Sequence, residues 1–295
     1  MPVGRIDLTA ILPVDSFEAC NRQAETGFTM LADDSFRQLL DHFDRSWSGY
    51  RKVRKGVKKR LYRHMQQLGC RRMSDYLAVL EKDRHSRRMC EQLLTVSISR
   101  FFRDRPLWDC LARNLLPEMA ARYPQRLTIW SAGCACGEEA YSFQIVWARL
   151  KHNCRSLPDL YLVATDTNRE ILDRARLGVY RASSLREVPE EWIAAHFLPL
   201  KKKKIYQIRP SLQRGIIWMQ HDFLTEPPQV MFNIIFLRNN LLTYYRKSLQ
   251  QAALDKIVRQ LSQPGLLIVG SREKCPSDAG GLTRSPDAVG VFWKR

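Results

Sequence analysis

Residues 130–142, Trp-Ser-Ala-Gly-Cys-Ala-Cys-Gly-Glu-Glu-Ala-Tyr-Ser, join two glycines to two adjacent carboxylates. Gly133 and Gly137 let backbone approach a ligand closely. The spacing is not the G-x-G-x-x-G of a dinucleotide turn, and no lysine follows Gly137, so a pyrophosphate cradle is disfavoured. Glu138 and Glu139 would repel a phosphate but suit a cation such as a sulfonium and its ammonium group. The plainer alternative is that both only complement a helix dipole. Asp166 closes Ala164-Thr165-Asp166, 29 residues after Gly137, a distance that admits one intervening helix. An acidic residue at the end of a second strand is placed to accept hydrogen bonds from ribose hydroxyls, although aspartate there also caps helices. The six histidines are dispersed, and Cys134 and Cys136 have no second pair at zinc spacing, so neither a metal site nor a Ser-His-Asp set is expected. Eight cysteines, mostly single, do not form a disulfide framework.

The elements that must position these residues follow from the apolar pattern. Leu127–Trp130, Leu160–Ala164, Phe232–Leu237 and Leu266–Gly270 read as strands, alternating with helices over Glu138–Leu150, Arg169–Leu177 and Leu249–Leu261. Such alternation predicts an α/β fold with a doubly wound, mostly parallel sheet. Ile205–Ile208 and Gly215–Met219 break the rhythm and read as a small antiparallel insert at about 197–220, and Gly290–Trp293 as an edge strand. Before this domain, over about 95–295, residues 34–94 are helical in pattern and 1–33 form a lead-in. Val53, Val57, Leu61, Met65 and Leu68 make the apolar stripe of a helix stopped by Gly69, and Ser74 is the expected N-cap of the next.

Five segments in order resemble one family. Trp130–Ser142 resembles its SAG-C-x-T-GEEPYS. Residues 164–180 resemble ATDI followed by a helix. Ser97–Asp104 (SISRFFRD) resembles N-x-T-x-FFRE. His221–Leu224 and Phe232–Tyr245 resemble its late N-L and FD-x-IFCRNV-x-IYF. The family is the CheR-type chemotaxis-receptor glutamate O-methyltransferases. The resemblance implies a Rossmann-like methyltransferase sheet, S-adenosyl-L-methionine (SAM) as donor, S-adenosyl-L-homocysteine as product and no metal. It implies Arg103 at the methyl-transfer site, and Ser97 and Ser99 near the methionine end of the cofactor. Glu139 falls in the cofactor pocket with Gly133 and Gly137, Asp166 on the ribose, and Asp222 with Phe223 beside the adenine. Arg238 and Asn239 match the Arg-Asn of the late strand and count among the implied cofactor-binding residues. The family's active-site tyrosine falls on Tyr244 if one residue such as Asn240 is inserted, and on Thr243 otherwise. Ser97, Ser99, Ala135-Cys136, Ala140, Asp222 and Leu237 depart from the family residues and mark a divergent member.

The chain has 295 residues and a formal charge of +18, unevenly spread. Residues 1–50 carry four basic and eight acidic side chains, whereas 51–72 carry ten basic and none acidic; Lys201–Lys204 is a second basic run. Such a face attracts acidic partners. The resemblance implies an acidic protein substrate, such as a chemoreceptor or related signalling protein. Two rivals stay open: a nucleic-acid methyltransferase using the basic helix, for which no Asn-Pro-Pro-Tyr motif is present, and a non-catalytic cofactor-binding interaction module. No apolar run approaches the ~20 residues that span a bilayer, so no membrane insertion and a cytoplasmic location are expected.

Overall fold

The computed structural model describes residues 31–295 apart from 155, 201–203, 226 and 277–280. Residues 1–30 of the lead-in and most of the second basic run lie outside the described residues. Four helices come first: α1 (Asp33–His42), α2 (Arg54–Gln67), α3 (Met73–Lys82) and α4 (Arg84–Leu94). They close on a core of their own, in which Phe36, Leu40, Tyr50, Leu61, Tyr76 and Leu94 are buried. The expected stripe of α2 does face this core through Val57, Leu61 and Met65, and Gly69 ends the helix at φ +70°. Ser74 is not the cap of α3: Arg72 holds that position, and the Ser74 hydroxyl bonds Asp75 instead.

The basic face of α2 is partly spent inside the fold. Lys58 is buried and pairs with Asp33 at 2.9 Å. Arg54 stacks on Trp47 with its guanidinium 3.5 Å from the ring centre, and Arg60 donates to the Leu93 carbonyl at 3.0 Å. Arg51, Lys52 and Lys55 remain exposed.

A linker then leads into α5 (Arg105–Cys110), which continues through a π-helical turn at Leu111–Leu115 into α6 (Leu116–Arg122). The following elements are β1 (Arg126–Ala132), α7 (Glu138–Asn153), β2 (Asp159–Asp166), α8 (Arg169–Leu177), β3 (Val179–Arg181), α9 (Glu190–His196), β4 (Phe197–Pro199), β5 (Ile205–Ile208), α10 (Pro210–Gln213) and β6 (Ile216–Gln220). The chain ends with β7 (Phe232–Leu237), α11 (Leu241–Tyr244), α12 (Lys247–Arg259), β8 (Leu261–Val269), β9 (Leu282–Arg284) and β10 (Val291–Lys294).

The main sheet has the order β6-β2-β1-β7-β8-β10-β9, with β6, β2, β1, β7 and β8 parallel and β10 antiparallel to β8. Its central strands are apolar on both faces because helices cover both. In β7, Ile234 and Phe236 join the core under α7, while Phe232, Ile235 and Leu237 join the core under α12. The strand order reverses between β1 and β7, where ligands of such sheets bind.

Three expectations are corrected. Gly215–Met219 does not belong to the insert: β6 is an edge strand of the main sheet, parallel to β2 with Leu162 opposite Ile216. Its partial exposure from Ile217 to Gln220 comes from lying at that edge. The small antiparallel sheet is β3-β5-β4 and therefore starts at Val179, before the expected boundary. The strand at the C-terminus, β10, is not the edge either, since β9 pairs with its outer side.

Candidate active site

The carboxyl ends of β1, β2 and β7 open into a cavity of about 600 Å³, roofed by the linker before α5 and by residues of the helical bundle. The turn after β1 is set by hydrogen bonds: the N–H groups of Gly133 and Cys134 both donate to the Thr165 carbonyl at 2.8 Å. Gly133 sits at φ +75°, and a Cβ there would lie 2.4 Å from Asn240 Nδ2, so only glycine fits between the turn and that side chain. Gly137 (φ +88°) meets a different neighbour. Its missing Cβ makes room for the Trp218 ring at 2.7 Å, so it serves the start of α7 and its packing rather than the cavity wall.

Asp166, at the end of β2, faces the cavity with its oxygens oriented by backbone. Oδ2 accepts from the Ala135 N–H at 3.1 Å and Oδ1 from the Asn168 N–H at 3.0 Å. Burial pushes its pKa up, and those N–H groups oppose the shift. Each oxygen keeps a further lone pair for a ligand hydroxyl. Asp222 and Phe223 line the same end, with Phe223 packed edge-on against Tyr245 and beside the Gly133 turn.

The two glutamates of α7 part company. Glu139 lines the cavity, accepting from Ser131 Oγ at 2.7 Å and from Arg238 Nη1 at 3.1 Å. Glu138 is buried, with Oε2 lacking a hydrogen-bond partner, and burial pushes its carboxyl up to about 7. Its own backbone and Ser99 oppose that shift.

The roof is the Ser97–Asp104 segment. Ser97, Ser99 and Arg103 all line the cavity. Phe101 and Phe102 anchor it: Phe101 packs edge-on to Tyr180 and Phe197, and Phe102 to Trp108 and Trp192. Arg103 lies between two non-glycine residues with left-handed backbone, Phe102 at φ +52° and Asp104 at φ +63°. Such conformations cost on the order of 1–3 kcal/mol each and persist where surroundings enforce them. The enforcement is visible. Ser142 Oγ accepts from Phe102 N–H at 2.9 Å, and Trp108 Nε1 donates to the Arg103 carbonyl at 3.0 Å. Arg238 Nη2 donates to that carbonyl and to Asp104 Oδ2, both at 2.8 Å.

Arg238, whose side chain is only 3% exposed, is thus bound to Glu139 on one side and to the roof on the other. Asn239 borders the cavity at φ +56°, with its N–H donating to Glu273 Oε2 at 2.8 Å. The two candidates at 243 and 244 lie in different surroundings. Thr243 donates to Glu273 Oε1 at 2.5 Å, whereas Tyr244 lines the cavity and packs on Tyr50 of the helical bundle. Burial raises the Tyr244 pKa, and the nearby Arg103 guanidinium opposes it.

Three residues at the site escape the sequence reading. Asn240 is not merely an inserted residue. It accepts from the Leu241 N–H to cap α11, donates to the Ala132 carbonyl at 2.6 Å and faces Gly133. An asparagine before a short helix is a recognisable cap signal. Asp104 and Glu273 carry no such local signal, because their partners are remote in sequence.

A doubly wound sheet whose switch point holds a glycine turn with positive φ, an aspartate with oriented oxygens and a second carboxylate facing a cavity has the architecture of a ligand-binding α/β fold. Comparison with known proteins gives the class its chemistry. Residues 97–288 match the family model described as CheR methyltransferase, SAM binding domain. The chemotaxis protein methyltransferase of Listeria monocytogenes is 32% identical over 196 residues, 65% of this chain and 71% of that one. The chemotaxis protein methyltransferase of Escherichia coli K12 is 28% identical over 224 residues, 74% of this chain and 75% of that one. A SAM-bound amino pentose methyltransferase from Micromonospora echinaspora superposes only with TM-score 0.34, at 14% identity, over 60% of this chain and 58% of its own. The chain belongs to the CheR methyltransferase family and is a SAM-dependent methyltransferase. Its residues fit that cofactor: a cradle that a Cβ would fill, oriented carboxylate oxygens at Asp166, and Glu139 for a cationic group.

Proposed function

We propose that this chain methylates side-chain carboxylates of glutamates in a chemoreceptor or related signalling protein. The observation that carries the reading is the placement of Arg103 and Tyr244 on the same cavity as Asp166 and Glu139. Bound SAM supplies a methyl group already activated on a sulfonium. A glutamate is ionised near neutral pH, so the acceptor needs no general base. What the protein must provide is alignment in a dry site. The Arg103 guanidinium holds the incoming carboxylate by charge-assisted hydrogen bonds, and the Tyr244 hydroxyl gives it one more. Ser97 and Ser99 would face the methionine end of the cofactor. Asp166 would hold the ribose, with Asp222 and Phe223 at the adenine. We place the partner's docking face on the exposed cations Arg51, Lys52 and Lys55, which suits an acidic protein surface. No helix among the described residues is long and apolar enough to cross a membrane.

Incubation of the protein with cell extract and methyl-labelled SAM tests the reading. The expected result is a labelled protein whose label is released by mild base and maps by mass spectrometry to glutamate. Base-stable label, or label on nucleic acid, would overturn it.

A further inference from the structure

We propose that Asp104 and Arg238 are positioning residues that hold the Arg103 guanidinium over the donor site, tying the turn that binds the cofactor to the roof that receives the acceptor. The inference rests on the reading of Arg103 as the acceptor clamp. It departs from assigning Arg238 to the cofactor.

The geometry forms one chain across the cavity. Ser131 Oγ donates to Glu139 Oε1, Glu139 Oε2 accepts from Arg238 Nη1, and Arg238 Nη2 reaches both Asp104 Oδ2 and the Arg103 carbonyl. Both terminal nitrogens of Arg238 are therefore engaged by groups of the protein, and the side chain is almost fully buried. Asp104, left-handed at φ +63°, turns its carboxylate to Arg238 at 2.8 Å.

The same network holds the backbone from which the Arg103 side chain leaves, because the Arg103 carbonyl accepts from both Arg238 and Trp108. The side chain lines the cavity, with Nη1 3.5 Å from the Ile98 carbonyl. After burial, Arg238 disfavours its charged form most, while Asp104 favours it. With Asp104 neutral, Arg238 loses one of its two carboxylate charges, and the charge-assisted bond among those that enforce the turn is weakened. The planar fork of arginine is needed at 238, because a lysine cannot meet Glu139, Asp104 and a carbonyl in fixed directions at once.

The test is a double-mutant cycle on Arg103 and Asp104 in the full chain, read on methyl transfer to the labelled protein. Asp104→Asn should lower kcat by about tenfold to a hundredfold, the scale of a small misplacement of a reacting group, with SAM affinity and KM for the protein changed less than about twofold. In an Arg103→Ala background the same substitution should cost less than about twofold, because the group it positions is gone. A merely structural role predicts the opposite: the two losses multiply, and the proposal falls. Arg238→Lys should behave like Asp104→Asn, and a loss of SAM affinity as large as its loss of rate would return Arg238 to the cofactor. A readout independent of turnover is trypsin cleavage after Arg103 in the protein without cofactor, followed by mass spectrometry. Asp104→Asn should open this turn and speed the cut severalfold at unchanged Tm, and an unchanged rate of cutting would count against the proposal. Label that is not a carboxyl ester would remove the proposed substrate and leave the cycle to decide on Asp104.

Discussion

Along residues 131–139 one wall of the cavity is nearly continuous chain: Gly133, Cys134, Ala135 and Glu139 line it in sequence, and β2 adds Asp166 from the adjacent strand. Across the cavity, Arg103, Arg238, Tyr244 and their support Glu273 come from separate segments, and the contact of Arg238 with the Arg103 carbonyl spans 135 residues. The donor side is held by backbone hydrogen bonds and a glycine. The acceptor side is held by buried charges and a turn of left-handed residues. Chain geometry fixes the first, so side-chain changes there should act on affinity. The second depends on a network, so changes there should act on rate.

The largest effect expected of this contrast is at Arg103. Arg103→Ala should lower the methylation rate at least ~100-fold, the scale of losing one preorganised electrostatic contact, while calorimetry finds SAM bound nearly as before. Arg103→Lys should recover only part, because the charge stays and the fork is lost. A fully active Arg103→Ala variant with intact cofactor binding would remove the acceptor clamp and the contrast with it.

Asp166→Ala is the converse probe, on the donor side. It should weaken SAM binding by about 1–3 kcal/mol, the range for hydrogen bonds to a charged group, and change the rate at saturating SAM much less. The pH dependence has a definite sign. Burial has raised the Asp166 pKa, and the ionised form is the acceptor for ribose hydroxyls. Affinity should therefore be flat at neutral pH and fall on acidification, beginning at a higher pH than for an exposed aspartate. Unchanged affinity in a folded Asp166→Ala variant would exclude the residue from the pocket.

This contrast also decides what the sequence discloses. Phe232–Leu237 and Arg169–Leu177 are legible to the residue, because a fully buried strand and a capped, amphipathic helix each write their pattern locally. The turn at Gly133 and the aspartate at 166 are legible for the same reason. Gly215–Met219 misleads because a short apolar run does not disclose which strand it pairs with, and only its partner β2 places it in the main sheet. Lys58 misleads because a charge run looks solvated until Asp33, 25 residues away, is seen to take it. Asp104 and Glu273 are silent, since each acts on residues brought near only by the folded sheet.

The smallest effect separates neighbours on α11. Tyr244→Phe keeps the ring against Tyr50 and removes only the hydroxyl that faces the cavity. If that hydroxyl gives the acceptor a single neutral hydrogen bond, the rate should fall about three- to tenfold, corresponding to ~0.5–1.5 kcal/mol, with Tm nearly constant. Thr243→Val removes the partner of Glu273 Oε1, in a carboxylate that burial already disfavours in its charged form. Its cost should appear as a lower Tm, about 1–3 kcal/mol of stability for a buried acceptor left unsatisfied, with the residual rate close to normal below the transition. Glu273 also receives the N–H groups of Asn239 and Gly270, so the turn keeps two of its three ties in the Thr243 variant. The reverse pattern, a slow Thr243→Val and an unaffected Tyr244→Phe, would shift the acceptor contact to Thr243 and place the tyrosine in the packing between the helical bundle and the sheet.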